Sequence, residues 1–140
     1  MLGWISLLVI PICILYYYKR TTNFKINKKY PKGEYVLKII INKNIKDNLN
    51  TILDIMKNEL LDLVKVLMED KKLYIKWRKS GEAKIVLSGT NEDMEMAYRR
   101  ALDLDILVSK KMVGEIIGIV VVGPGLKSEI NEFTCKFRLF

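Results

Sequence analysis

The chain has 140 residues, enough for one compact domain with an appendage, and carries 24 Lys and Arg against 16 Asp and Glu, a formal net charge of +8. It contains no histidine, which excludes imidazole-based catalysis, Ser-His-Asp and Cys-His arrangements and the common zinc sites with His ligands. Its two cysteines, Cys13 and Cys135, are too few and too distant in sequence for a disulfide framework, so a reducing compartment is expected, and an apolar fraction of 50% excludes disorder of the whole chain.

The first element is the uncharged run at residues 2–18, LGWISLLVIPICILYYY. As a helix it would be roughly 26 Å long, the short end of what crosses a hydrocarbon core. Trp4 and Tyr16 to Tyr18 stand near its two ends, where amphipathic rings prefer the headgroup level, and Pro11 would kink it. A cleaved secretory signal is the alternative, but the run lacks a basic leader and a small-residue cleavage site. Lys19 and Arg20 follow at once, and the tendency of basic flanks to stay on the cytosolic side places residues 19–140 there. Residues 19–33 read as a lysine-rich linker that sets orientation and can hold anionic headgroups. Six basic and no acidic residues precede Glu34, so the folded part keeps 18 basic and 16 acidic groups and is nearly neutral.

Residues 35–41 (YVLKIII) are apolar nearly throughout, as a strand buried on both faces should be. Asp47 or Asn48 can cap the helix that follows, whose expected buried stripe is Leu49, Ile52, Leu53, Met56, Leu60, Leu63, Val64 and Leu67. A short helix over 72–79, a strand over 83–87 and a helix capped by Thr90, with Met94, Ala97, Tyr98, Ala101 and Leu102 buried, come next. Residues 106–109 and 116–122 read as two further strands, the second closed by a turn at Gly123-Pro124-Gly125. A short helix at 128–132 and an alternating stretch at 135–140 complete the chain. Strands alternating with helices predict an α/β fold: a mixed, largely parallel four-stranded sheet with helices on both faces, preceded by one transmembrane helix. The expected organisation is an anchor at 1–18, a linker at 19–33 and a domain at 34–140.

From Gly33-Glu34-Tyr35 to the last residue, several stretches share one family pattern. They are Trp77 through Gly81 to Lys84-Ile85-Val86-Leu87, Asn91-Glu92-Asp93, Gly123-Pro124-Gly125, Ile130-Asn131-Glu132-Phe133-Thr134 and Phe137-Arg138-Leu139-Phe140. In these the chain resembles the type-2 peptidyl-tRNA hydrolase family. The resemblance implies a mixed four-stranded sheet between helices, and hydrolysis of the ester joining a peptide to the terminal ribose of tRNA. That chemistry needs a positioned water, a proton acceptor and donors for the developing oxyanion. Eukaryotic members commonly carry a hydrophobic anchor, which residues 2–18 resemble, and this implies the mitochondrial outer membrane, with the endoplasmic reticulum as the alternative.

Both family active-site motifs are altered. Asn42, Asn44 and Ile45 stand where the family has Arg-x-Asp-Leu, Leu49, Asn50 and Thr51 at its Lys-Gly-Lys, Leu53, Asp54 and Ile55 at its Ala-Ala-Gln, and Asn58 at its His. The Asp-Ala-Gly-x-Thr loop is shortened, its aspartate falling at Val113 with Glu115 the nearest carboxylate. The catalytic candidates carried by the resemblance and by position are Lys46, Asp47, Glu115 and Thr134, and the tRNA-binding candidates are Lys43, Lys46, Lys110 and Lys111. Gly123 and Pro124 match the family as structural residues. No metal and no cofactor is called for. Expected partners are tRNA or peptidyl-tRNA and the membrane through residues 2–18, with homodimerisation and ribosome association left open. An active hydrolase and an inactive, membrane-anchored module binding tRNA, ribosome or protein are the two main functional readings; a structural adaptor without RNA affinity is a third.

Overall fold

The computed structural model describes residues 11–12, 30–45 and 47–140. The chain divides into two compact units, Met1–Tyr30 and Pro31–Phe140. The expected transmembrane helix, and Lys46, lie outside the described residues save for Pro11 and Ile12. Among the described residues no helix is long and apolar enough to cross a membrane.

The second unit is built on β1 (Tyr35–Asn42), every residue of which is buried. A 3-10 turn, Lys43–Ile45, leads to α1 (Leu49–Glu69), then α2 (Lys71–Lys79), β2 (Lys84–Gly89), α3 (Asn91–Asp103), β3 (Val108–Val113), β4 (Ile116–Leu126), α4 (Lys127–Thr134) and the short β5 (Arg138–Leu139). The sheet has five strands in the order β3-β4-β1-β2-β5. Only β1 and β2 run parallel; the other three pairings are antiparallel. The sequence expectation of a largely parallel four-stranded sheet is thereby corrected to a mixed five-stranded one. The physical reason is Gly114-Glu115, a two-residue connection between β3 and β4 that forms a hairpin and is too short for a parallel crossover. Gly114 supplies the positive φ of 62° that begins it.

Side chains alternate across the sheet. Val36 and Ile40 join Leu87, Met94, Ala97, Ala101, Val120, Val122 and Ile130 in one core beneath α3 and α4. Leu37, Ile39 and Ile41 are buried on the opposite face, where α1 and α2 contribute Ile52, Ile55, Leu63, Leu67, Leu73 and Trp77. The face that α1 presents is rotated from expectation: Leu49, Leu53 and Val64 are exposed, and Ile55 and Glu59 are buried instead. Apolar positions cover so wide an arc of this helix that periodicity alone does not choose which half meets the sheet.

Gly123-Pro124-Gly125 is not a closing turn. It lies inside β4, with a cis bond between Gly123 and Pro124 and a register shift opposite Val36 and Lys38. Gly123 has φ 101°, and a Cβ there would meet the Val36 carbonyl oxygen at 2.7 Å, so glycine is demanded twice. A second irregularity sits at the other end of β4: Lys111 pairs with Ile119 but Met112 with Ile117, leaving Gly118 as an extra residue.

Candidate active site at the carboxyl end of the parallel strands

Ile117 pairs with Met112 on one side, but the pairing of β4 with β1 stops at Ile119 opposite Ile41, so the Ile117 peptide needs other partners on that side. Two asparagines supply them. Asn42, the last residue of β1 and fully buried, donates from Nδ2 to the Ile117 carbonyl at 2.9 Å, while Asn91, at the start of α3, accepts from the Ile117 N–H at 2.7 Å. The Asn42 Oδ1 also accepts from the Asn44 N–H at 2.9 Å, which fixes the 3-10 turn against the strand end. The carboxyl end of β1, the start of α3 and the β3–β4 hairpin are thus tied into one frame.

In open sheets the region beyond the carboxyl ends of parallel strands is where ligands bind. Here it holds a shallow cleft of about 620 Å³ lined by Asn44, Asp47, Asn48, Leu49 and Asn50. Asn48 caps α1 by accepting from the Thr51 N–H at 3.3 Å. The first turn of this 21-residue helix has no acidic residue, so the one carboxylate facing its positive end from the cleft is Asp47, just before the cap. The neighbouring α3 differs: Thr90 caps it through the Asp93 N–H at 3.2 Å, and Glu92 and Asp93 already occupy its first turn.

Among the sequence candidates, Asp47 is exposed in the cleft, Lys43 is exposed in the 3-10 turn that leads to it, and Glu115 is exposed in the hairpin turn at the same end of the sheet. Lys111 points to solvent from the edge strand β3. Lys110 is committed elsewhere: its Nζ lies 3.1 Å from Glu95 Oε2 and 4.5 Å from the centre of the Tyr98 ring. The hydrogen bond from Lys110 holds the Glu95 carboxyl below the usual carboxylate range. Thr134 is not at the cleft. It is buried at the end of α4, donates to the Ile130 carbonyl at 2.7 Å and accepts from Lys38 Nζ at 2.8 Å. Lys38 lies four residues before Asn42 on β1, roughly 13 Å along the strand.

Sequence reasoning passed over Lys38, which looked like one polar letter in an apolar strand. Its ammonium also donates to Asn131 Oδ1 at 2.6 Å, so it fastens α4 to the central strand. Burial pushes its pKa below the ordinary lysine value; Cys135 opposes the shift and Lys127 adds to it. A lysine of lowered basicity against a hydroxyl has the chemistry of a Lys-activated nucleophile. Thr134, however, is only 2% exposed and Lys38 7%, and their polar groups are spent on each other, on Asn131 and on the Ile130 carbonyl. Among the described residues no group of His, Cys, Asp and Glu could hold a metal ion.

These features define an α/β domain with a polar cleft at the carboxyl edge of a parallel strand pair and a helix N-terminus facing it. The family model described as Peptidyl-tRNA hydrolase PTH2 matches residues 35–140, and the chain belongs to that family. No curated protein matches the chain.

Proposed function

We propose that the protein acts on peptidyl-tRNA, holding the ester in the cleft at Asn44–Asn50. What supports this most is the N-terminus of α1, with no acidic residue in its first turn, opening beside Asp47 on that cleft in a chain of this family. The terminal phosphates of tRNA would lie at α1, with Lys43, Lys46 and Lys111 adding charge around them. Asp47 is the proton acceptor. A water oxygen adds to the ester carbonyl as its proton passes to Asp47, the amides of Asn44, Asn48 and Asn50 donate to the developing oxyanion, and the ribose oxygen leaves carrying a proton. Glu115 is the second carboxylate of this end. In the same reading residues 1–18 anchor the protein, residues 19–33 tether it, and the domain faces the cytosol from the mitochondrial outer membrane.

Binding without cleavage is the second reading, and a specific observation favours it. Asn42, which replaces a family arginine, is locked into the frame, the β3–β4 connection is reduced to two residues, and Thr134, which keeps its family position, is spent on Lys38, so these positions serve structure here. End-labelled peptidyl-tRNA incubated with the full chain separates the two. Cleavage above background that falls by about 10²–10⁴ in Asp47→Asn supports hydrolysis by this route. Retention of tRNA with no release of peptide supports the second reading, and neither activity overturns both.

A further inference from the structure

We propose that the outer face of α2 is a docking surface for an anionic lipid bilayer. The helix KKLYIKWRK carries five basic residues and no acidic one. At 100° per residue, Arg78, Lys71, Ile75, Lys79 and Lys72 fall within an arc of roughly 120° on the side away from the buried Leu73 and Trp77. The four cations are exposed, and Ile75, at the centre of the arc, is 48% exposed. None of the four pairs with a carboxylate among the described residues. Two of the nearby acids face partners of their own: Asp70 accepts from the Leu73 N–H at 3.2 Å, and Glu82 accepts from the Tyr74 hydroxyl at 3.4 Å. Cations ringing one apolar side chain suit the headgroup layer, where the charges meet anionic lipid and the isoleucine enters the acyl boundary.

The connectivity selects lipid over nucleic acid. The Tyr35 N–H donates to Ser80 Oγ at 2.8 Å, so the C-terminal end of α2 lies beside the start of β1. That is where the chain arrives from a stretch holding Lys19, Arg20, Lys25, Lys28, Lys29 and Lys32, itself preceded by the uncharged run at 2–18. The candidate cleft lies at the far end of β1, about 25 Å away along the strand. A bilayer under α2 would leave that cleft open to solution, whereas an RNA end bound in the cleft is remote from α2.

The test is amine acetylation of the full chain mixed with vesicles of phosphatidylcholine alone or with about one third phosphatidylserine. Lys71, Lys72 and Lys79 should label at least fivefold more slowly in the anionic vesicles than in the neutral ones. Lys136, on the opposite side of the sheet, should label equally in both. Ile75→Ser combined with Lys71→Gln and Lys79→Gln, all on the surface, should remove protection at Lys72. Equal labelling of α2 in the two vesicles overturns the proposal, as does protection of these lysines by tRNA and not by anionic lipid.

Discussion

Replacing Asn42 by alanine tests the frame on which the cleft is built. The amide makes two hydrogen bonds, to the Ile117 carbonyl at 2.9 Å and from the Asn44 N–H at 2.9 Å, and the residue is 0% exposed. Each bond contributes about 1 kcal/mol net, and a buried carbonyl left without a donor adds about 1–3 kcal/mol. The Asn44 N–H lies nearer the surface and can turn to water, so the expected loss is about 2–4 kcal/mol. For a domain of this size that lowers the melting temperature by roughly 10–25 °C. Denaturant titration of the wild-type and variant chains gives the difference, and amide exchange gives its place: Asn44 and the residues around Ile117 should lose protection first. A loss under about 0.5 kcal/mol, or protection unchanged at Asn44, would refute the clamp. Asn42→Asp preserves shape but turns an acceptor toward the Ile117 carbonyl and buries a charge, and should be worse than alanine.

Three further outcomes follow from the structure. The folded pKa of Lys38 lies below its ordinary 10.5, so the unfolded chain binds more protons between those values. Stability attributable to Lys38 therefore rises with pH across that window, and Lys38→Met should flatten the dependence measured as pH is raised toward 10.5. Lys110→Ala should move the Glu95 titration, followed by NMR, back toward 4.5. The stabilisation from that pair is present above 4.5 and lost as pH falls through the lowered folded value, and its removal costs under about 1 kcal/mol because both groups are partly solvated. Gly123→Ala puts a methyl group against the Val36 carbonyl at positive φ and should destabilise by about 2–4 kcal/mol in thermal unfolding.

Much of the fold was legible because single residues carry local instructions. Asn48 and Thr90 act as caps, the apolar run of β1 is buried on both faces, and Met94, Ala97 and Ala101 form the inner stripe of α3. The sheet's direction was not, since placing a strand at 106–109 left apparent room for a crossover, whereas β3 continues to Val113 and turns back after two residues. Asn42 was visible as a departure from a family arginine, but its role depends on where the pairing of β4 with β1 stops, which is set only when β3, β4 and β1 are paired together. Lys38 was illegible for a similar reason: its partners Asn131 and Thr134 lie 93 and 96 positions away. The composition of the cleft, by contrast, could be read directly, because Asn44, Asp47, Asn48 and Asn50 are neighbours in sequence.

The most direct measurement is a footprint of substrate on the protein. Amide shifts of the full chain should be followed on addition of a minihelix RNA bearing an N-blocked aminoacyl ester, with Asp47→Asn used to prevent turnover. Shifts concentrated at Asn44, Asp47→Asn itself, Asn48 and Asn50, and weakening as salt is raised, are predicted. Shifts confined to α2, or to the groove that Met96, Arg100, Phe133 and Lys136 line between α3 and the end of α4, with the residues of the cleft unmoved, would contradict the assignment of the ester to the carboxyl end of β1.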